Sequence, residues 1–387
     1  MPARPHAARR VVIAGGGIAG VELALALRAL AGAAVELTLL APSDELRYRP
    51  LAVASPFGHP LRRYRLDAIC ADLGMTLRRG ALRAVDGEAH ALVTDGGERI
   101  DYDSLAIAVG ARPHPPLQHV HTFVADADAD GLHLLLRDVE EGMTARVAFV
   151  VPAGAGWSLP LYELALMTAA RARDMGADAL ELTLVTPEDV PLAAFRGAGS
   201  DAVAALLAQA GIAVLPATYA RAYDGRMLEL APGGRSLAAD RVVALPVLTG
   251  PAIAGVPCDA DGFIHVEEHG RVAVVPDVFA IGDATTFPLK QGGIASQQAD
   301  VVAALVARRA GVAVPEPRTR PLLRAMLLTG GDPLYLRATT TGGESVISSV
   351  SHHCPWWPPH KVAARHLAPY LADREAAACP PAALRAS

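Results

Sequence analysis

Two stretches of the chain place an apolar strand, a turn and an apolar-striped helix in the same order. The first runs VVIA, GGGIAG, VELALALRALAG and AVELTLL over residues 11–40. The second runs from RVAFVV at 146 through YELALMTAARARDMG to LELTLVTPE, ending at Glu188. Each reads as a βαβ unit, half of a dinucleotide-binding domain. Shorter strands surround them, TLRRGALRAV, HALVTD, RIDYDSLAIAVG, MLELA and DRVVALP, punctuated by Gly and Asp turns.

Order along the chain then predicts the architecture. The apolar strand in VPDVFAIGDATTFP, residues 275–288, belongs with the first unit although it follows the second. The pattern therefore predicts an α/β protein with two Rossmann-like domains, the second inserted into the first. Residues 1–115 and 275–315 would form the first domain, 116–274 the second, and 316–387 a C-terminal segment of strands and a closing helix. Proline density over 315–321 sets that last boundary.

Composition narrows the class. The 387 residues are 52% hydrophobic and 19% charged, which excludes a disordered chain. A net charge of −5 gives no basic face for a nucleic-acid partner. Cys70, Cys258, Cys354 and Cys379 stand far apart, so a disulfide framework is not expected and a reducing, cytoplasmic setting is. The basic N-terminus before an apolar run imitates a signal peptide, but the glycines and Glu22 argue for a strand and turn. Glu22 and Arg28 interrupt the longest apolar run, so any membrane contact would be peripheral, on the inner face.

The turn Gly15-Gly16-Gly17-Ile18-Ala19-Gly20 has GxGxxG spacing between a predicted strand and helix, the context the motif requires. Gly15 allows the tight turn, Gly17 the approach of amides to a pyrophosphate, and Gly20 close helix packing. No acid ends the second strand, where Ala41 stands, so Ser43 and backbone groups would have to serve the ribose.

Together with SLAIAVGARP (104–113) and AIGDAT (280–285), this turn resembles the three marks of the FAD domain in two-dinucleotide-binding flavoproteins. The resemblance implies that Asp283 meets the ribityl and pyrophosphate region and that KQGGIASQQAD opens a helix under the isoalloxazine. The residues expected around FAD are Gly15, Gly17, Ile18, Ala19, Gly20, Ser43, Arg49, Val85, Val109, Gly110, Arg112, Gly282, Asp283, Gly293 and Ile294.

The second turn, GAGWSLPLYELAL, carries Gly156, Ser158 and Leu161 where three glycines would serve NAD(P), and Pro160 removes an amide. NAD(P)H binding in the usual manner is therefore not expected. Pro160, Tyr162 and Glu163 resemble the Cys-x-x-Pro-x-Tyr-Glu turn of sulfide:quinone oxidoreductases, a branch that stands close to type II NADH:quinone oxidoreductases. In that branch the cysteine attacks sulfur beside the flavin, and this sequence has Trp157, which offers no nucleophile.

Cys354, flanked by His352 and His353, is the candidate replacement thiol if those histidines lower its pKa; a free structural cysteine is the plainer reading. Catalytic candidates are thus Cys354, Trp157 and Lys361. Trp356 and Trp357 are expected in core packing, with contact to a quinone ring as the alternative. DADADG at 126–131 lacks the final calcium-loop glutamate, and HVEEH at 265–269 lacks a zinc-protease spacing, so no metal is expected. Arg47, Arg49, Arg62, Arg63 and Arg65 read as a solvated face or a patch for anionic lipid or substrate.

The resemblance implies an FAD-dependent oxidoreductase passing electrons from a small donor to a quinone or protein acceptor, with a homodimer allowed. Two other readings stay open: an NAD(P)H-dependent flavin reductase, and a flavin-binding sensor or interaction protein without turnover.

Overall fold

The computed structural model describes residues 8–125, 129–317, 321–341 and 345–378. Asp126–Asp128 of the calcium-like stretch and Cys379 lie outside them. Two five-stranded parallel sheets organise the molecule. The first has the order Val278–Ala280, Ser104–Ile107, Arg9–Ala14, Val35–Ala41, Thr76–Arg79. Its register sets Val11 beside both Leu37 and Ser104. The second has the order His121–Thr122, Arg241–Ala244, Arg146–Val150, Glu181–Val185, Ile212–Leu215. Central strands such as Val147–Val150 are buried on both faces, as helix-covered parallel sheets require.

The strand Val278–Ala280 pairs in parallel with Ser104–Ile107, so the late segment does return to the first sheet. The return begins upstream of the strand itself. Ile253, Val256, Ile264 and Val272 already pack with Val12, Ala14 and Ile107. Gly80, at φ 143°, splits the expected strand TLRRGALRAV into Thr76–Arg79 and Leu82–Asp86.

The segment after residue 315 divides between the two cores. Its antiparallel strands Leu322–Leu327, Leu334–Thr341 and Ser345–Ser351 bury Leu323, Leu327 and Leu336 against the second sheet's helices. Its helix, Leu367–Ala378, buries Leu367, Ala368 and Leu371 in the first core. A strap over residues 358–366 joins them, crossing the helices Ile18–Ala31 and Gly292–Arg309 that pack on each other. Among the described residues no helix is long and apolar enough to cross a membrane.

Candidate functional site

Three strands of the first sheet, Arg9–Ala14, Ser104–Ile107 and Val278–Ala280, end at one crevice, the place where open α/β sheets take ligands. Gly15 has φ 121°, and a Cβ there would lie 2.2 Å from Ala108 O. A Cβ on Gly20 would lie 1.9 Å from Gly15 O, so the helix and turn touch backbone to backbone. Gly17 is different: it is exposed, and nothing stands within 4 Å of its missing Cβ. Gly282, at φ 70°, sits between Ala19 and Ala295, and Ile18 lies against Gly292, so the Gly282–Asp283 turn and the start of the helix Gly292–Arg309 meet the glycine turn. Ile294, in that helix, is buried in the second core. Val109 and Gly110 follow directly on the Ala108 that Gly15 abuts.

Asp283 keeps an accessible opening although protein surrounds most of it. That burial raises its pKa, against the attraction of Lys290 and Arg49. Two helix N-termini, close backbone and a carboxylate flanked by two cations suit a dinucleotide with its pyrophosphate on the turn. The remaining expected residues are engaged otherwise. Ser43 Oγ exchanges hydrogen bonds with the Glu45 backbone at 3.2 Å. Val85 donates its N–H to Ala254 O at 2.9 Å, with Gly255 closed onto its carbonyl. Arg112 is exposed on a strand paired to Val247–Thr249.

The second turn is filled by its own chain. A Cβ on Gly156 would meet Lys290 Cγ at 2.4 Å, and Lys290 N–H donates to Gly156 O at 3.1 Å. Lys290 also lies 3.9 Å over the Phe263 ring and donates to Thr285 O. Trp157 is half-buried against Phe195, centroids 6.1 Å apart. Leu161, completely buried, occupies the core where a glycine would let helix and strand touch. Glu188, just past the second strand, accepts hydrogen bonds from Ser158 Oγ (3.0 Å), Tyr162 Oη (2.7 Å), Thr186 Oγ1 (3.0 Å) and Ala193 N (3.0 Å).

Lys361 makes an ion pair with Glu163, and both are buried. Glu163 Oε1 also accepts the Leu328 N–H at 2.9 Å, while Oε2 has no protein partner. Burial pushes Glu163 up and Lys361 down, and their attraction opposes both shifts. The next residue, Val362, packs over Gly292 and donates its N–H to Tyr48 Oη at 2.9 Å. The pair thus stands beside the N-terminus of the helix that opens the crevice.

Two expectations are corrected. His352 and His353 lie exposed and do not activate Cys354; burial pushes its thiol up, and Sγ donates to Trp356 O at 3.2 Å. Trp357 is not core: it is 88% exposed, because its loop is held instead by Trp356. Trp356 stacks edge-on with Tyr335 at 5.5 Å and donates Nε1–H to His360 O at 2.9 Å. These rings line a cleft of ≈ 380 Å³ with Gln297, Asp300, Arg324 and Arg365. The arginine patch is largely neutralised, since Arg62, Arg63 and Arg65 pair with Glu375, Glu45 and Asp67.

Sequence reasoning missed Glu188, Glu22, Asp300 and Lys290. The signal for Glu188 was the acid at the end of LVTPE, where a nucleotide domain places its ribose ligand. Glu22 and Asp300 were visible as charges within apolar helix faces.

Among proteins of known activity, the chain is 28% identical over 337 residues to the ferredoxin reductase component of chlorobenzene dioxygenase from Cupriavidus sp. (strain PS12), covering 80% of this chain and 77% of that protein. It is 28% identical over 307 residues to the ferredoxin–NAD(+) reductase component of the p-cumate 2,3-dioxygenase system of Pseudomonas putida, covering 72% and 68%. Its fold is similar to sulfide:quinone oxidoreductase from Aquifex aeolicus, with TM-score 0.81, 21% identity and coverage of 89% and 87%. A ferredoxin reductase from Rhodopseudomonas palustris gives TM-score 0.65, 23% identity and coverage of 87% and 84%. Residues 9–304 match the pyridine nucleotide-disulphide oxidoreductase family, so the chain belongs to that family and is an FAD-dependent oxidoreductase.

Proposed function

We propose that the protein passes electrons from a small donor through FAD to a quinone or a similar acceptor. The pyrophosphate would lie on Gly15–Gly20, with Asp283 toward the ribityl chain and the helix Gly292–Arg309 under the flavin ring. Bound FAD would supply the two-electron chemistry. What this chain adds is orientation and charge. The N-terminal dipole of that helix would stabilise negative charge on the ring, and the Lys361 ammonium, held in place by Glu163, would supply a proton.

The observation that carries this reading is the buried Lys361–Glu163 pair, on the strap whose residues 358 and 363–365 line the tryptophan-lined cleft and whose Val362 packs over Gly292. An acceptor gaining two electrons must gain protons as well. A buried ammonium whose pKa burial lowers is suited to deliver one. The exposed face of Trp357 and the guanidinium of Arg324 would receive a planar ring carrying oxygens. Trp157, in the place of a nucleophilic thiol, speaks against sulfide oxidation through a mixed disulfide.

The second reading is NAD(P)H as donor, favoured by the similarity to a ferredoxin–NAD(+) reductase component. Against it stand Leu161, the Lys290 stem on Gly156, and a Glu188 already bound by four internal donors. A ferredoxin-type protein as acceptor follows from the same relatives.

The test is reoxidation. The photoreduced holoprotein mixed anaerobically with a short-chain quinone should reoxidise in seconds or faster, and Lys361→Met should slow this about 100-fold. Reoxidation by a ferredoxin alone, or equal rates in both proteins, contradicts the assignment.

A further inference from the structure

Among the described residues, a fully buried glutamate meets a half-buried aspartate at the wall of the tryptophan-lined cleft, and the proposed proton transfer gives neither a role. Glu22 projects from the helix Ile18–Ala31 and is fully buried. Its carboxylate accepts backbone N–H groups from Arg365 (2.9 Å), His366 (3.0 Å) and Leu367, where the C-terminal helix begins. Asp300 projects from the neighbouring helix Gly292–Arg309, hydrogen-bonds to Glu22 and forms part of the cleft wall.

Two carboxyl groups in contact, Glu22 fully buried and Asp300 half-buried at the cleft, are costly to ionise together, so the pair holds a proton until Asp300 titrates. Burial raises both, but three backbone donors favour charge on Glu22, so Asp300 carries the proton. Burial and the Glu22 charge push Asp300 up to about 7. Other groups facing the pair do not reverse this. His366 Nε2 stands 3.8 Å from Asp300 Oδ1, but burial and Arg365 push that imidazole down, which favours its neutral form. Arg365 opposes the shift of Asp300 from an exposed position, and Arg324 lies across the cleft.

We propose that Glu22 and Asp300 are positioning residues for Lys361: sharing one proton, they fasten the strap 361–367 across the two helices and hold Lys361 against Glu163. When Asp300 gives its proton to solvent through the cleft, a hydrogen bond to Glu22 becomes repulsion between two anions in contact. Glu22 is then a poorer anchor for residues 365–367, and the strap loosens. The role of Lys361 rests on the proposed function, whereas the fastening does not.

Three readouts on the FAD-loaded protein separate these parts. Amide hydrogen exchange at 365–367, corrected for its intrinsic pH dependence, should rise about tenfold between pH 6 and pH 8 in wild type and stay level in Asp300→Asn. Thermal unfolding supplies the sign. The folded state keeps a proton up to about pH 7 that the unfolded state releases near 3.8, so wild type loses stability relative to Asp300→Asn across that interval. Third, quinone reoxidation should slow as pH rises through about 7 in wild type, a step that Asp300→Asn removes.

Equal exchange and equal pH dependence of unfolding in the two proteins would overturn the fastening. Altered exchange with an unchanged reoxidation profile would overturn the positioning of Lys361. If no quinone reoxidises wild type, the proposed function fails, and with it the positioning of Lys361, while exchange still decides the fastening. Glu22→Gln, expected to speed exchange at 365–367 at every pH, serves if Asp300→Asn does not fold.

Discussion

Gly15–Gly20 and Gly154–Ser158 are the same kind of turn, each leaving a central parallel strand for a helix, yet the space before them is used in opposite ways. Before the first, Gly17 faces nothing within 4 Å. Before the second, Lys290 lies on Gly156, Trp157 turns onto Phe195, and Ser158 is tied to Glu188. The acids reverse as well. The first unit ends its second strand at Ala41 with no carboxylate, whereas the second has Glu188 and engages it with three hydroxyls and an amide. Topology alone therefore does not make a nucleotide site; the space left open before the turn does.

The largest break in this comparison should come from Gly20→Ala. Its methyl would sit 1.9 Å from Gly15 O, an atom fixed by the sheet. A loss of about 4 kcal/mol or more and colourless protein are expected, read from denaturant unfolding and the flavin absorbance per chain. Next is Lys361→Met, which leaves Glu163 buried and unpaired at a cost of about 3–5 kcal/mol. The double variant with Glu163→Leu should recover most of that stability in the same unfolding assay.

Glu188→Gln should cost about 1–3 kcal/mol, because a neutral amide serves its four donors less well. It should bring no NADH binding by calorimetry, since Leu161 and Trp157 still fill the turn. The smallest pair sharpens the contrast. Gly156→Ala meets Lys290 Cγ at 2.4 Å and the Pro288 carbonyl at 3.1 Å and should cost about 1–3 kcal/mol with flavin content unchanged. Gly17→Ala should leave stability within about 0.5 kcal/mol, yet weaken FAD binding about tenfold or more in a reconstitution titration.

Both βαβ units were legible because strand and helix periods report burial along one element. The Gly282–Asp283 turn was legible because a glycine at positive φ and an acid after an apolar strand leave a local trace. Contacts that join distant elements were not. The bonds to Glu188 come from residues 158, 162, 186 and 193, and no pattern in LVTPE announces them. Periodicity also says that a segment is buried without saying where. That is why Ile253–Val272 joined the first core, and why the C-terminal segment divides between two cores. Trp357 is the converse case: an apolar cluster in sequence whose two rings face opposite surroundings.

The central claim, one open nucleotide site and one closed by its own side chains, is tested most directly by an anaerobic stopped-flow titration of the FAD-loaded protein with NADH and NADPH. Flavin absorbance should persist for minutes at millimolar nucleotide and bleach fully once dithionite is added. Bleaching by either nucleotide within seconds would contradict the claim.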